Sequence, residues 1–441
     1  SETSTSSNRR LKTLIMDKKQ RIVVIGAGFG GLSFCKKIDK SKYDVLILDR
    51  NNFHSFPPLF YQVASGGLEP TSISFPVRRE LRNRKMRGCK FNYGEVTEID
   101  TVAKTVTTEY ETIPYDILVI AAGTTNNFFG IENLQQRVCT LKSTSQAIRT
   151  RNEILLRLER AAIETDPDRR RRLLTFAVIG GGPTGVEVAG ALGEMKRYVI
   201  AREYPSISPD EVKVILVEGS DRLLRTMSEA SSADALRDLK KKLMVDVWLN
   251  KTMKSYDENG VITFADGDTI EADTLIWTAG ITAEPFNFVG FTPQPRPGAR
   301  LAVDEYNKVE GTDNIYAIGD IAYHENEAWP HGCPQLAQVA IQQGDRLAEN
   351  LNKQSKQHPF VYNDKGSMAT IGRNHAVVDL HKFHFAGWFA WIVWMAVHLM
   401  SLLGMRNKAV VLINWMWAYF TSASSLRLIL RPSRNPSSPI K

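Results

Sequence analysis

Twice in this chain three glycines stand in the register G-x-G-x-x-G, and each set is followed by a carboxylate. The first set is Gly26, Gly28 and Gly31, with Asp49 downstream; the second is Gly180, Gly182 and Gly185, with Glu218 downstream. In such a run the first glycine permits a tight turn and the second lets the backbone approach a pyrophosphate. The third lets a helix pack closely on a strand. Free N–H groups at the helix start then face the phosphates. Each carboxylate stands where it would accept hydrogen bonds from a ribose hydroxyl. A lone glycine run is weak, because structural turns also produce it; here strands flank both runs and an acid closes each.

The elements that must position these residues are legible around them. RIVVI at 21–25 precedes GAGFGG, a helical stretch follows, and VLIL ends at Asp49. LTFAVI at 174–179, GGGPTG, a longer helical stretch and VILV at 214–217 repeat the order. Strand, glycine turn, helix and parallel strand is the βαβ pattern, and two copies predict two doubly wound α/β domains. The second connection is long, and its polar stretch 201–211 is expected to loop out. Two runs closing in Ala-Gly, ILVIAAG to Gly123 and TLIWTAG to Gly280, read as last strands before the chain crosses between domains. NIYAIGD at 314–320 comes after the second unit.

The economical arrangement is an α/β fold of two Rossmann-like dinucleotide-binding domains, the second inserted into the first, with C-terminal amphipathic membrane-anchoring helices. The expected boundaries are a polar tail at 1–19, a discontinuous FAD domain at 20–125 and 289–385, and an NADH domain at 126–288. A membrane-associated region follows at 386–441. Glu218 would repel the 2′-phosphate of NADPH and no arginine follows it, so the second site should prefer NADH. Nicotinamide delivers only hydride pairs, whereas a flavin accepts a hydride and releases electrons one or two at a time. That difference gives two nucleotide sites in one chain a purpose.

Composition narrows the classes. The chain carries a net charge of +8, with basic runs at Arg78 to Arg87 and Arg169 to Arg172. Both read as solvated faces, and no DNA or RNA module accompanies them, so no nucleic-acid partner is expected. Cys35, Cys89, Cys139 and Cys333 form no CxxC pair, which argues against zinc, a disulfide scaffold and a dithiol centre and suits a reducing compartment. His381-x-x-His384 alone is too little for a metal, no EF-hand loop is present, and no metal is expected. Residues 1–20 lack the apolar run of a secretory signal.

GAGFGG, AAGT, GGGPTGVE, TAGI, AIGD and AQVAIQQG occur in the order found in type II NADH:quinone oxidoreductases, which the chain resembles from residue 20 to about 431. FHSFPPLFYQVASG at 53–66 and GSMATIGRNHAVVD at 366–379 are similar to that family too. The first four motifs are shared with the wider disulfide-reductase-like flavoproteins; AQVAIQQG and the C-terminal segments are the specific part. The resemblance implies that Gly26, Gly28, Gly31, Asp49, Gly123 and Asp320 hold FAD, with Asp320 on the ribitol. It assigns Gly180, Gly182, Gly185, Glu218 and Gly280 to NADH and sets Glu187 near the nicotinamide and flavin. Glu187 could equally be a first-turn glutamate favoured by the helix dipole.

Pro334 precedes an amphipathic run that is expected to begin a helix there. In the family this helix aims its positive N-terminus at the flavin ring, and Gln338 and Gln342 correspond to the quinone-site glutamines. Amides donate to quinone carbonyls without titrating. His375 departs from the family pattern, where lysine is common; it could donate a proton to reduced quinone or be a surface residue.

Five of the eight tryptophans, Trp388, Trp391, Trp394, Trp415 and Trp417, lie close together near the C-terminus. At helical pitch Trp388, Trp391, Met395, Leu399 and Leu402 share a face, opposite Ala390, Val397, Ser401 and Gly404. A second candidate, 409–430, carries Asn414, Thr421 and Ser425 on one stripe and ends in Arg427 and Arg431. Tryptophans and flanking cations favour the bilayer interface. In-plane attachment is therefore expected ahead of a span or a buried core.

Together these observations predict a non-pumping enzyme passing electrons from NADH through FAD to a membrane quinone. It would be monotopic, facing the cytoplasm or an equivalent NADH-containing compartment, and a homodimer through the C-terminal region stays open. Two rivals remain. One is a sulfide:quinone oxidoreductase using Cys139 and Cys333; the other is a flavin-binding docking protein without turnover.

Overall fold

The computed structural model describes residues 19–380, 383–421 and 426–430. The expected polar tail lies outside them apart from Lys19, as do His381, Ser425 and Arg431. The chain forms two compact units. The first comprises the described residues of Ser1–His54, Pro76–Thr124 and Thr282–Asn363; the second comprises those of Ser55–Phe75, Thr125–Ile281 and Asp364–Lys441. The second unit therefore takes 55–75 and 364–385, which were expected in the FAD domain. The reason is packing: the short helix Phe60–Ala64 lies on the helices Thr144–Ile163 and Pro183–Glu194, and strand Ser367–Thr370 lies on the latter.

In the first unit five parallel strands run in the order Ile315–Ala317, Ile117–Ile120, Gln20–Ile25, Tyr43–Asp49, Cys89–Tyr93. Ile22, Val23 and Val24 are wholly buried. That is the burial expected of a central parallel strand covered on both faces, and it is why the run reads as unbroken β-branched residues. The strand order reverses beside Gln20–Ile25, and such a switch point opens a crevice at the carboxyl ends of the strands. Helix Phe29–Lys37 follows the first glycine turn and packs on helix Ala337–Asn352. A Cβ on Gly344 would lie 2.5 Å from the Gly30 carbonyl oxygen, so only glycine allows this approach. An antiparallel sheet, Val96–Asp100, Thr105–Thr108 and Thr112–Pro114, is joined in parallel by Asn287–Val289.

The second unit repeats the plan with four parallel strands, Asp246–Trp248, Lys213–Val217, Thr175–Ile179 and Thr274–Trp277. Its glycine turn leads into helix Pro183–Glu194. The stretch expected to loop out does so only in part: the chain stays helical through a π-helical segment Met195–Ile200 and the turn Ala201–Glu203. Buried Ile200, Tyr204 and Ile207 hold it down, and Ser208 and Glu211 form a capping box at the next turn.

The unit closes with an antiparallel sheet, Ser367–Thr370, Ala376–Leu380 and Phe383–Gly387, and two helices, Trp388–Ser401 and Met405–Thr421. Among the described residues no helix is long and apolar enough to cross a membrane. The faces differ from the expected ones. Ala390, Trp394 and Leu402 are buried, whereas Trp388, Phe389, Val397 and Met400 are exposed. Trp394 decides the orientation: its indole meets Tyr61 edge-on at 6.4 Å and Trp415 of the second helix at 5.9 Å between centroids, while His398 one turn on stacks against it at 4.0 Å. On the second helix Asn407 and Val411 face inward, and Leu412, Ile413, Met416, Trp417 and Phe420 face outward.

Candidate functional site: two nucleotide turns and their surroundings

The two glycine turns are built alike, each within its own unit. Gly26 has φ 107°, and a Cβ there would lie 2.4 Å from the Ala121 carbonyl oxygen; its N–H donates to the Leu48 carbonyl at 2.8 Å. Gly180 has φ 113°, a Cβ would lie 2.7 Å from the Ala279 backbone, and its N–H donates to the Val217 carbonyl at 2.8 Å. In both, the third glycine is needed because a Cβ on Gly31 or Gly185 would lie 2.0 or 1.7 Å from the carbonyl oxygen of the first. Gly28 and Gly182 are the helix N-caps, and nothing stands within 4 Å of where their Cβ would be. That open space at the start of each helix is the cradle a pyrophosphate needs.

The carboxylates are held in the same way. Asp49 Oδ2 accepts the Ala27 N–H at 2.7 Å and Oδ1 the Asn51 N–H at 2.7 Å. Glu218 Oε2 accepts the Gly181 N–H at 2.6 Å, and Oε1 accepts both the N–H and the hydroxyl of Ser220 at 2.8 Å. Both oxygens of Asp49 and the Oε2 of Glu218, each accepting one of these bonds, keep a lone pair for a ribose hydroxyl. Burial pushes the Asp49 carboxyl above the ordinary aspartate value, against those N–H bonds. His54, which sequence reading left inside a quoted motif, braces the first turn: its Nδ1 meets the Ala27 carbonyl at 2.9 Å. Burial lowers its pKa to about 4, so the ring is neutral and donates that proton to the carbonyl.

Gly123, with φ 72°, also has open space about it. Gly280 does not: a Cβ there would lie 2.6 Å from the Phe129 ring, so its glycine is required by packing. Asp320 sits on the turn Gly319–Ile321 after the strand Ile315–Ala317, and one of its oxygens accepts the Thr124 hydroxyl at 3.5 Å.

Glu187 is the fifth residue of helix Pro183–Glu194 and is buried. The Thr370 N–H donates to its Oε1 at 3.3 Å. The Trp394 indole N–H, which makes no hydrogen bond of ordinary geometry, lies near enough to favour the carboxylate. Burial outweighs both and raises the Glu187 pKa to about 8. From Thr370 a chain of side chains runs to the C-terminal helix. Tyr61 and Thr370 hydroxyls meet at 2.9 Å, Gln62 donates to the Tyr61 oxygen at 2.9 Å, and Trp415 donates to Gln62 at 2.7 Å. Tyr61 and Gln62 were not singled out by the sequence; spacing gives no sign of a partner hundreds of residues away.

Two expected site residues are already engaged. The Gln342 amide donates to the Asn363 carbonyl at 2.9 Å and accepts the Asn363 N–H at 3.0 Å, so both its ends hold backbone. His375 Nδ1 contacts buried Asp238, and Nε2 meets Lys242 at 2.6 Å. Burial lowers the His375 pKa, opposed by Asp238, and neither ring nitrogen is left for a quinone. Helix Ala337–Asn352 begins three residues after Pro334, because Leu336 is extended and its N–H closes a tight turn on the Pro334 carbonyl. Gln338 lies in its first turn.

The sequence model of the family described as pyridine nucleotide-disulphide oxidoreductase matches residues 20–344, and that of the NDH2 C-terminal domain matches 365–423. A Mycobacterium tuberculosis protein named type II NADH:quinone oxidoreductase NdhA is 36% identical over 90% of this chain and 86% of its own. The chain belongs to the type II NADH:quinone oxidoreductase family. A Yarrowia lipolytica relative of this family, the external alternative NADH-ubiquinone oxidoreductase of mitochondria, is 32% identical over 90% of this chain and 79% of its own.

Solved structures share the fold. NDH2 from Plasmodium falciparum, in complex with NADH, superposes with a TM-score of 0.85 at 22% identity, covering 94% of this chain and all of that one. The sulfide:quinone oxidoreductase of Aquifex aeolicus follows at TM-score 0.69 and 19% identity, covering 92% and 96%. The fold alone therefore does not separate the type II family from the sulfide enzyme; the C-terminal family model and the sequence relatives do. Cys139 and Cys333 are buried, free thiols whose pKa burial raises to about 11.

Proposed function

We propose that the first unit holds FAD and the second binds NADH, and that electrons pass from NADH through the flavin to a membrane quinone. The observation that carries this reading is the pair of matching glycine turns, each with an open N-cap and a carboxylate fixed by backbone N–H groups. Bound FAD supplies the hydride acceptor that hands electrons on to quinone. Asp49 and Glu218 hold the two riboses, Asp320 the ribitol, and the first helix turns the two pyrophosphates. Glu187 holds a proton near neutral pH, and quinol formation from one hydride consumes one proton. Of the two glutamines named for quinone, Gln342 has both ends of its amide tied to the Asn363 backbone.

The outward apolar side chains of the two C-terminal helices fit attachment in the plane of a lipid surface. A homodimer through the same face is the alternative use of it.

Glu218→Gln tests the division of labour. The flavin stays bound, because the change lies in the other unit. The ratio of kcat/KM for NADH over NADPH falls by roughly tenfold, the size of one charged hydrogen bond. Loss of flavin with an unchanged ratio would reverse the assignment of the two turns.

A further inference from the structure

Two glutamines that the sequence did not single out meet the turn that carries Asp320. Gln343 is 1% exposed, and its Oε1 accepts the Gly319 N–H at 2.7 Å. Gln335 donates from Nε2 to the Asp320 carbonyl at 3.0 Å. Gly319 has φ 76° and Ile318 before it is extended, so no helix or sheet partner is available to that N–H in the turn. Ile318 itself donates to the neighbouring strand at Ile120, which marks the last sheet bond before the chain leaves the strand. The turn is thus gripped at the peptides before and after the one that joins Gly319 to Asp320, by side chains flanking the first turn of helix Ala337–Asn352. Ala340 completes the grip, since a Cβ on Gly319 would lie 3.1 Å from the Ala340 Cβ.

We propose that Gln343 and Gln335 are positioning residues that fix Asp320 for the ribityl chain of FAD and tie that turn to the helix carrying Gln338. The inference rests on the assignment of Asp320 to FAD. Gln343 does not itself touch the cofactor: its Nε2 is buried without a hydrogen-bond partner and is closed to solvent. A wholly buried amide with one end unsatisfied is costly, and a methionine or leucine would pack there without that cost. The retained glutamine is explained by its other end, which supplies an acceptor that no backbone group can supply. A leftover donor is tolerated because the Gly319 N–H would otherwise be the orphan.

The holoenzyme is diluted and FAD release is followed by the rise of flavin fluorescence. Gln343→Met keeps the length and apolar bulk and removes the acceptor; Gln335→Met removes the donor. Each should release FAD about tenfold faster, with the far-UV circular dichroism and the Kd for NADH unchanged. Asp320→Ala should release FAD faster still, and adding Gln343→Met to it should change the rate less than twofold, because the two act as one unit. Release at the parental rate in Gln343→Met overturns the inference. So does an equal factor with and without Asp320, which would mean that Gln343 acts independently of it. If Asp320→Ala itself holds FAD as the parent does, the cofactor assignment fails and not merely the clamp. Should Gln343→Met fail to fold, Gln335→Met, whose side chain is only partly buried, carries the same test and the same cycle.

Discussion

Asp49 and Glu218 do the same job in two units, closing a glycine turn by accepting the N–H just beyond its first glycine, Ala27 in one and Gly181 in the other. Their side chains differ by one methylene, and the backbone around each meets that difference. Glu187 is the residue whose setting has the clearest consequence for pH. Its ordinary value is 4.5 and burial raises it to about 8, so the folded protein holds a proton that the unfolded chain releases. The contribution to stability is complete below about 4.5 and is lost as pH rises through 8. Glu187→Gln should therefore flatten the fall in unfolding free energy over that range by a few kcal/mol, roughly 1.4 kcal/mol per unit of pKa. Denaturant titrations at several pH values measure it; parallel curves for parent and variant would remove the buried-proton reading. Spacing gave the glycines and both acids, because that chemistry is local. It gave Gln342 and His375 too free a role, since their partners Asn363 and Asp238 come from tertiary packing.

Among the elements, the βαβ repeats were legible because strands buried on both faces must be continuous apolar runs. The C-terminal helices were less so. The first is apolar nearly all round, so no stripe in the sequence marks its inward face. What turns the first of them is one large side chain, Trp394, set against Tyr61 and Trp415 of other elements. Trp394→Ala should cost about 3–5 kcal/mol of stability, as expected for emptying a wholly buried indole site. Trp417→Ser, on the exposed side of the second helix, should change stability by no more than about 0.5 kcal/mol yet weaken flotation with uncharged vesicles. Equal losses of stability in the two variants would contradict this division into a packed side and an exposed side. The extension of helix Pro183–Glu194 into a π-helical segment also escaped the sequence, because the polar residues after it suggested a loop while Ile200, Tyr204 and Ile207 anchored it.

At the scale of the whole molecule, the chain joins two units with matching glycine turns and an apolar C-terminal surface; on the proposed reading these are the three parts needed to oxidise a soluble nucleotide with a lipid-dissolved quinone. Attachment without crossing predicts that the C-terminus stays on the same side of a vesicle as the flavin unit. A thiol label introduced at Lys441 should react with an impermeant reagent added outside, together with accessible NADH oxidation. A label protected inside the vesicle would mean that the segment spans. Domain boundaries were the part of the architecture least visible beforehand, since 55–75 and 364–385 join the second unit through contacts that no linker composition announces. The central claim is that one flavin takes hydride from NADH and gives the electrons to quinone. Anaerobic titration of the purified yellow protein tests it most directly. One equivalent of NADH per flavin should bleach the visible flavin band, and a quinone added afterwards should restore it without oxygen. A band that NADH leaves unbleached, or that quinone leaves bleached, would contradict the account.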